Sequence, residues 1–296
     1  SRMPRARSER VGGPVVFCGG GYFGEPNHGL LRWTARLTRR HLLPAWKYRK
    51  ASQHHCIAGI GVGPLTSRLA RRAVVRLVER SEATTVRDEE SFEYLVKWGV
   101  APDRIQLGAD AVLYLSRSQL LSMFEDADVP SPVTDTPAAT MLVHIPGSRR
   151  NASARYRIAE AVKRVLRAHR SASCIAMSDG ISDAQPDFLG WLSDSDVGDR
   201  VRVVDYQDPR QLIRILTAVD SILTTKLHVG ICAAVLGQPL LSVGVHNKTA
   251  RFYRQIRRPE LTCPVEALSD AWLESRLTAL VTGEIRPAEV PEDVVR

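Results

Sequence analysis

Short apolar runs alternate with longer amphipathic segments along almost the whole chain. Runs of three to six apolar residues bounded by Gly, Pro or polar residues are typical of buried β-strands, and apolar positions that recur every three or four residues are typical of helices. The predicted strands are 15–18, 56–60, 83–86, 105–107, 111–115, 140–145, 174–177, 201–204, 221–223 and 240–245. The predicted helices are 30–43, 67–80, 92–98, 120–125, 155–169, 188–192, 209–219, 229–236, 252–256 and 270–280.

Strands that alternate with helices predict parallel sheets with helices packed on them. The alternation pauses at 126–138, a segment that holds Pro130, Pro132 and Pro137 and few large apolar residues. Such a segment is typical of an interdomain linker. We therefore expect an α/β protein of two Rossmann-like domains facing across a cleft, an N-terminal domain over 1–126 and a C-terminal domain over 127–296.

The stretch 220–253 carries the densest candidate chemistry. Lys226 and His228 follow the predicted strand 221–223 directly, at the start of a helix, and Lys248 follows the next predicted strand. Ligands of open α/β sheets bind outside the carboxyl ends of strands, and a helix N-terminus attracts anions. These residues predict an anion site in which His228 exchanges protons. The alternative for His228 is a structural role at the helix start.

Other predicted strand ends carry further candidates. Gly20 and Gly21 belong to a glycine run that allows close approach of a ligand, or forms an ordinary strand-to-helix turn. Arg87, Ser91 and Arg149 follow two further strands, and Arg can grip a carboxylate or phosphate with two parallel hydrogen bonds. The alternative for Arg87 is a salt bridge with the neighbouring Asp88 or Glu89.

Charge and cysteine usage narrow the possible partners. The net charge is +9, and no acidic residue lies between Glu25 and Glu79, where eleven Arg and Lys residues fall. Trp33, Trp46 and Tyr48 are interleaved with the first seven of these cations. This tract fits either a solvated basic face or contact with an anionic membrane. Five scattered cysteines suit buried thiols in the cytoplasm. The sequence shows no ligand spacing typical of a metal site and no nucleic-acid-binding motif. It also shows no apolar run long enough to span a membrane and no secretion signal. We therefore expect no metal and no nucleic acid.

The order of several motifs resembles the polysaccharide pyruvyl transferase family over nearly the whole chain. The motifs are Phe-Cys-Gly-Gly-Gly (17–21), Gly-Ile-Gly-Val-Gly-Pro-Leu (59–65), Thr-Val-Arg-Asp-Glu-Glu-Ser (85–91), Gly-Ala-Asp-Ala-Val-Leu (108–113) and Lys-Leu-His (226–228). The resemblance implies a GT-B-like architecture and transfer of the enolpyruvyl group of phosphoenolpyruvate to two hydroxyls of a sugar. Phosphoenolpyruvate is then the donor substrate, and no cofactor is expected. The family's usual opening strand and glycine loop are not visible before Val15, so we expect either a shortened chain or a reduced N-terminal domain.

The resemblance also implies roles for individual residues. Arg87 and Lys248 would hold the phosphate or carboxylate of the donor, and His228 would be the general acid or base. Lys226 stands where the family commonly has Arg, which removes a bidentate fork. The glycine run would lie on the acceptor side, towards a sugar, glycolipid or lipid-linked oligosaccharide. Two alternatives stay open: a GT-B glycosyltransferase using a nucleotide sugar, suggested by Pro-Gly-Ser-Arg at 146–149, and a non-catalytic protein of a membrane-associated glycan-assembly complex.

Overall fold

The computed structural model describes residues 15–18, 20, 23–25, 30–43, 54–123, 139–145, 152–178, 186–205 and 208–294. The chain divides into two compact units, residues 1–111 and residues 112–295. This division falls before the boundary expected at 126. The expected linker at 126–138 lies outside the described residues. The helix Arg117–Ser122 (α4), which precedes it in the chain, already belongs to the second unit.

The first unit is built on a four-stranded parallel sheet in sequential order β1-β2-β3-β4. Its strands are Val15–Cys18 (β1), His55–Ile60 (β2), Thr84–Val86 (β3) and Gln106–Leu107 (β4). Its helices are Leu30–Leu37 (α1), which continues as a π-helical turn over Thr38–Leu42, Arg68–Glu79 (α2) and Glu89–Lys97 (α3).

The three helices of the first unit share one buried core with its sheet. Leu37 of α1, Val74 of α2 and Leu95 of α3 share one buried cluster with Ile57 and Val86 of the strands. Right-handed crossovers between sequentially adjacent parallel strands place successive helices on the same side of a sheet, which accounts for this arrangement. The outer sides of α1 and α2 therefore belong to one surface layer.

The second unit contains a six-stranded parallel sheet in the order β10-β9-β8-β5-β6-β7. Its strands are Thr140–His144 (β5), Ser173–Ser178 (β6), Val201–Asp205 (β7), Ser221–Thr224 (β8), Leu240–Gly244 (β9) and Thr262–Pro264 (β10). Its other helices are Ala152–Ala168 (α5), Pro186–Ser193 (α6), Pro209–Ala218 (α7), Leu227–Val235 (α8), Asn247–Gln255 (α9) and Asp270–Val281 (α10).

The order of this second sheet creates a switch point between β5 and β8. The chain runs outwards from β5 to β7, returns, and continues outwards on the other side from β8 to β10. Every residue of β5, β8 and β9 is buried, because helices cover both faces of a parallel sheet. Open α/β sheets bind ligands at the carboxyl ends of the strands beside such a point.

Several element boundaries differ from the predictions. The predicted strand 111–115 is a 3-10 turn, Ala111–Tyr114, in which only Leu113 is buried. A short apolar run does not distinguish a strand from a helical turn, and one buried residue in four fits the turn. Within the described residues the sheet of the first unit has four strands and that of the second has six.

Candidate functional site

Arg87 lies at the carboxyl end of β3, under the loop that follows β2. Its backbone N–H donates to the carbonyl of Ile60 at 3.1 Å, and only 6% of the residue is exposed. Its Nη1 donates to Asp110 Oδ2 at 3.4 Å, and its Nε lies 3.6 Å from Asp88 Oδ2. Asp88 belonged to the predicted salt-bridge alternative, whereas the contact with Asp110 was not predicted. Two carboxylates therefore fix the plane of this guanidinium.

Gly61 makes room for the Arg87 guanidinium. A Cβ atom built on Gly61 would lie 2.8 Å from both Nε and Nη2 of Arg87 and 2.9 Å from Cζ. Carbon and nitrogen atoms in contact are normally about 3.5 Å or more apart, so any side chain at this position would displace the guanidinium. The glycine thus lets the side chain of Arg87 lie flat against the backbone.

Ser91 holds the same loop to the start of α3. Its hydroxyl donates to Asp88 Oδ1 at 2.6 Å and accepts from the N–H of Val62 at 2.8 Å, while its own N–H donates to Asp88 Oδ1 at 2.8 Å. The residue is fully buried. In this arrangement Ser91 serves the site by positioning Asp88 and the loop, and its direct contact with substrate stays a prediction.

Gly20 brings the loop after β1 against the loop after β2. Its φ is 83°, in the left-handed region that favours glycine, and its carbonyl accepts from the N–H of Gly61 at 2.9 Å. A Cβ atom on Gly63 would lie 3.0 Å from the Cα of Gly24, so the two loops meet backbone to backbone. Gly20 is thus connected to Arg87 through Gly61. Gly21 lies outside the described residues.

In the second unit, Lys226 and His228 lie at the carboxyl end of β8. Lys226 is the N-cap residue of α8, and its N–H donates to Thr224 Oγ1 at 3.0 Å. The helix begins at Leu227, two residues before the predicted start, so His228 falls in its first turn with an exposed side chain. Lys226 is half-buried.

Lys248 lies at the neighbouring strand end, in the first turn of α9. Strand β9 pairs with β8 in parallel, with Ser242 opposite Thr224. Paired strands lie about 4.8 Å apart, so α8 and α9 start side by side at one edge of the sheet. Both helix N-termini present backbone N–H groups and a partial positive charge, and each carries a Lys. This edge is therefore suited to a compact anion, with one imidazole beside it.

His144 supports the switch point from the end of β5. It is completely buried, its carbonyl accepts from the N–H of Thr225 at 3.2 Å, and its Nδ1 lies 3.3 Å from Thr224 Oγ1. The bond to Thr224 connects it to the turn that carries Lys226. The sequence analysis missed this residue, although a single His at the end of an apolar strand was the available signal.

Close packing behind Lys226, His228 and Lys248 fixes α8 against β9 and α9. Tyr253 of α9 is fully buried and shares a hydrogen bond of 2.7 Å with Ser242 Oγ, and burial raises the pKa of its phenol well above the usual range. A Cβ atom on Gly230 of α8 would lie 3.2 Å from the Tyr253 hydroxyl. The helix approaches this closely because position 230 has no side chain.

The structure thus assembles two groups of predicted residues, one in each unit. Arg87, Ser91 and Gly20 belong to the first, and Lys226, His228 and Lys248 to the second, while Arg149 lies outside the described residues. In the described part of the chain, no cluster of three or more His, Cys, Asp or Glu side chains is placed to hold a metal ion. No helix described here is long and apolar enough to cross a membrane.

Sequence comparison connects these residues to one family. The family model for polysaccharide pyruvyl transferase matches residues 3–247, a range that includes Arg87 and His228 and ends one residue before Lys248. No curated protein matches the chain in sequence.

Structural comparison finds two-domain proteins of the same fold. The UDP-GlcNAc 2-epimerase from Methanocaldococcus jannaschii has a TM-score of 0.64 at 12% identity, over 84% of this chain and 70% of that one. The UDP-GlcNAc 2-epimerase from Neisseria meningitidis, solved with UDP-GlcNAc bound, has a TM-score of 0.60 at 12% identity, over 90% of this chain and 78% of that one. These similarities, with the two parallel sheets, confirm the predicted class of two Rossmann-like units, as in GT-B-like proteins.

Proposed function

Because the chain belongs to the polysaccharide pyruvyl transferase family, we propose that it transfers the enolpyruvyl group of phosphoenolpyruvate to two hydroxyls of a sugar. The products are a cyclic ketal and inorganic phosphate. The acceptor in this proposal is a sugar unit of a polysaccharide, a glycolipid or a lipid-linked oligosaccharide, and the reaction takes place in the cytoplasm.

The observation that carries the proposal is the edge of the second sheet where Lys226, His228 and Lys248 share two adjacent helix N-termini. Phosphoenolpyruvate is small and carries a phosphate and a carboxylate, so its charge needs several cations within a short distance. Two lysines supply point charges, and the helix N-termini add oriented N–H donors. The helix N–H donors are fixed by the fold and need no reorganisation to stabilise charge.

His228 supplies the proton in this proposal. Its imidazolium protonates the methylene carbon of phosphoenolpyruvate, which becomes the methyl group and leaves an oxocarbenium-like centre at the neighbouring carbon. One sugar hydroxyl adds to that centre and gives up its proton to the now neutral imidazole. Phosphate then leaves with its bonding electron pair, the second hydroxyl bonds to the same carbon, and its proton passes to the departing phosphate. Histidine suits both of its transfers because an imidazole can donate and accept a proton near neutral pH.

Arg87 orients the donor rather than supplying most of the charge. Asp88 and Asp110 neutralise part of its charge and fix its plane, so its contribution is a guanidinium of set direction for the carboxylate or the phosphate. Lys226, in place of the Arg common in the family, binds as a point charge without a fork.

The test is phosphate release from phosphoenolpyruvate in the presence of nitrophenyl hexosides or lipid-linked sugars. We expect His228→Ala to lower turnover about 100- to 1000-fold, the usual loss for one acid–base or charge-stabilising group. His54→Ala is the matched control, because His54 pairs with Glu82 at the amino end of β2 and is exposed. Normal turnover by His228→Ala would remove His228 from the proposed mechanism.

Lys248→Ala tests the donor site separately. Losing one cation should raise the KM for phosphoenolpyruvate more than it lowers kcat, since the charge contacts the bound donor before and during reaction. Lys97→Ala, an exposed Lys in the last turn of α3, is the control. An unchanged dependence on donor concentration would contradict the assignment of Lys248.

The two alternatives predict different results in the same experiments. A nucleotide-sugar glycosyltransferase should be stabilised against heat by UDP-sugars and not by phosphoenolpyruvate, because ligands that bind only the folded state raise its melting temperature. A non-catalytic assembly protein should release no phosphate with any acceptor. Stabilisation by phosphoenolpyruvate together with acceptor-dependent phosphate release would exclude both.

A further inference from the structure

Charge is segregated in the first unit in a way that the proposed function does not use. No Asp or Glu lies between Glu25 and Glu79, while eleven Arg and Lys residues do. Helix α2 holds four of them, Arg68, Arg71, Arg72 and Arg76. Helix α1 and its π-helical continuation add Arg32, Arg36 and Arg39, which are exposed. Both helices lie on the same face of the sheet, so their outer sides form one cationic layer.

One side of α2 is turned to solvent and carries three of its arginines. Arg68, Arg72 and Arg76 recur every fourth residue, so they align on one side of the helix, and all three are exposed. Leu69 lies beside them and is 76% exposed. The opposite side of the helix packs into the core. We call the outer side, formed by Arg68, Leu69, Arg72 and Arg76, the α2 face.

Arg71 differs from these arginines because it supports the fold. Its Nε donates to the carbonyl of Leu65 at 2.5 Å, and it is half-buried. Within the described residues, the arginines of the α2 face form no ion pair with a carboxylate. The carboxylate of Glu25 instead accepts from the N–H of Thr66, just before the helix, at 2.7 Å. The anion that the start of α2 favours is therefore supplied by Glu25.

Local stability does not explain the arginines of the α2 face. The N-terminus of a helix carries a partial positive charge, so cations in the first turns are unfavourable there. Arg68 is the first residue of α2 and Arg72 follows one turn later, and the first turn has no acidic residue. Leu69 likewise gains nothing from its exposure to water. Both features become favourable when the face meets a surface that is anionic and also has an apolar layer.

We propose that the α2 face docks on the surface of an anionic phospholipid bilayer. Lipid phosphates attract the arginines, and the adjacent leucine enters the boundary between headgroups and acyl chains. Leu30 is the first residue of α1, and Leu43 directly follows its π-helical continuation. They are 41% and 46% exposed and add apolar contacts on the same layer. Nucleic acid offers phosphates but no apolar layer for exposed leucines, which favours the bilayer. Binding requires no turnover, so the inference stands apart from the proposed function.

The test is co-sedimentation of the whole protein with vesicles, without phosphoenolpyruvate or acceptor. Vesicles of phosphatidylcholine that contain about 30% phosphatidylglycerol are compared with vesicles of pure phosphatidylcholine. We expect binding only to the anionic vesicles, and loss of binding as salt rises from about 0.1 to 1 M, because the screening length falls from about 10 to 3 Å. Each arginine near the surface should contribute about fivefold, so the triple variant Arg68→Gln, Arg72→Gln, Arg76→Gln should bind on the order of 100-fold more weakly.

Two matched variants separate a specific face from general positive charge. The control triple Arg170→Gln, Arg202→Gln, Arg286→Gln removes the same charge from exposed positions of the second unit and should bind like the wild type. Leu69→Ser keeps the net charge and should weaken vesicle binding roughly tenfold while leaving thermal unfolding unchanged, since its side chain is exposed.

Three results would overturn the proposal. The wild type fails to sediment with anionic vesicles at low salt, or the two triple variants lose binding equally, or a short DNA duplex binds as tightly as the vesicles with no effect of Leu69→Ser. The last result would assign the α2 face to nucleic acid. Phosphate release by the α2-face triple on a water-soluble acceptor is measured in parallel, so that failure of docking is distinguished from failure of the proposed reaction.

Discussion

The contact between Gly61 and Arg87 allows one substitution to test the first-unit site without touching a charged residue. In Gly61→Ala, the new Cβ would lie 2.8 Å from Arg87 Nε and Nη2. Relief of the overlap requires a shift of about 0.7 Å, given a normal contact of about 3.5 Å. Arg87 is only 6% exposed, and its guanidinium contacts both Asp88 and Asp110. Because there is little free space around it, the whole guanidinium is displaced from its present plane.

The expected effect on activity is much larger than the effect on folding. Misplacing a positioning group by about 1 Å can lower turnover about 100-fold, and overpacking a buried site typically costs about 1–3 kcal/mol of unfolding free energy. Gly61 does not have a positive φ, so an alanine meets no backbone strain there. We therefore expect kcat/KM for phosphoenolpyruvate to fall about 100-fold, with a moderate loss of stability in urea denaturation.

Gly99→Ala is the matched control for this prediction. Gly99 has a φ of 101°, and a Cβ atom there would meet no atom within 4 Å. The alanine strains the backbone by an amount of order 1–3 kcal/mol but does not reach Arg87. The two alanine variants should thus be destabilised to a similar degree, and only Gly61→Ala should lose activity.

A double-mutant cycle provides the result that would refute the reasoning. If Gly61→Ala acts through Arg87, then adding it to Arg87→Ala should cause no further loss of kcat/KM. Additive losses would mean that Gly61 affects catalysis by another route. Normal activity of Gly61→Ala itself would mean that the orientation of Arg87 is unimportant.

Two further outcomes follow from buried groups. Ser91→Ala leaves the N–H of Val62 without its 2.8 Å acceptor and removes the hydroxyl from Asp88, so we expect a loss of about 1–3 kcal/mol in urea unfolding; an unchanged midpoint would contradict the positioning role. Burial raises the pKa of the Cys174 thiol to about 12, so at pH 8 a disulfide reagent should label the exposed Cys18 in the native protein and Cys174 only after unfolding. The unfolded thiol ionises near pH 8.5 and the folded one does not, so this residue's contribution to stability is complete below that pH and declines as pH rises towards 12.

The buried strands were predictable because parallel strands covered on both faces are continuous apolar runs. The prediction for 140–145 closely matches β5, and that for 221–223 matches β8. Helix starts were less accurate: α9 begins at Asn247, whereas the prediction began at 252. Its first turn is polar and its N-cap residue is His246, which makes no side-chain capping hydrogen bond, so the usual start signal is missing. Strand β10 was missed because three residues ending in Pro264 give no periodic pattern.

The candidate site was predictable only as far as strand ends imply proximity. Lys226, His228 and Lys248 follow consecutive strands, and consecutive parallel strands are commonly neighbours, so the grouping was available from the chain order. The contact between Arg87 and Asp110 was not, because it depends on the pairing of β3 with β4 and on the loop geometry at Gly61. A linear sequence records which residues end a strand, but not which side chains then meet.

The two groups of predicted residues differ in burial, and this difference separates the effects expected of their substitutions. Arg87 is buried, flanked by two carboxylates and packed on Gly61, so it loses little side-chain entropy when a ligand arrives. His228 is exposed, and Lys226 and Lys248 are half-buried on long side chains, so more of their entropy is lost on binding. In the proposed function, Arg87 acts through its fixed direction, and Lys226 and Lys248 act through their charge. On this reasoning, substitutions around Arg87 should affect discrimination between donors, and substitutions of the lysines should affect affinity for phosphate itself.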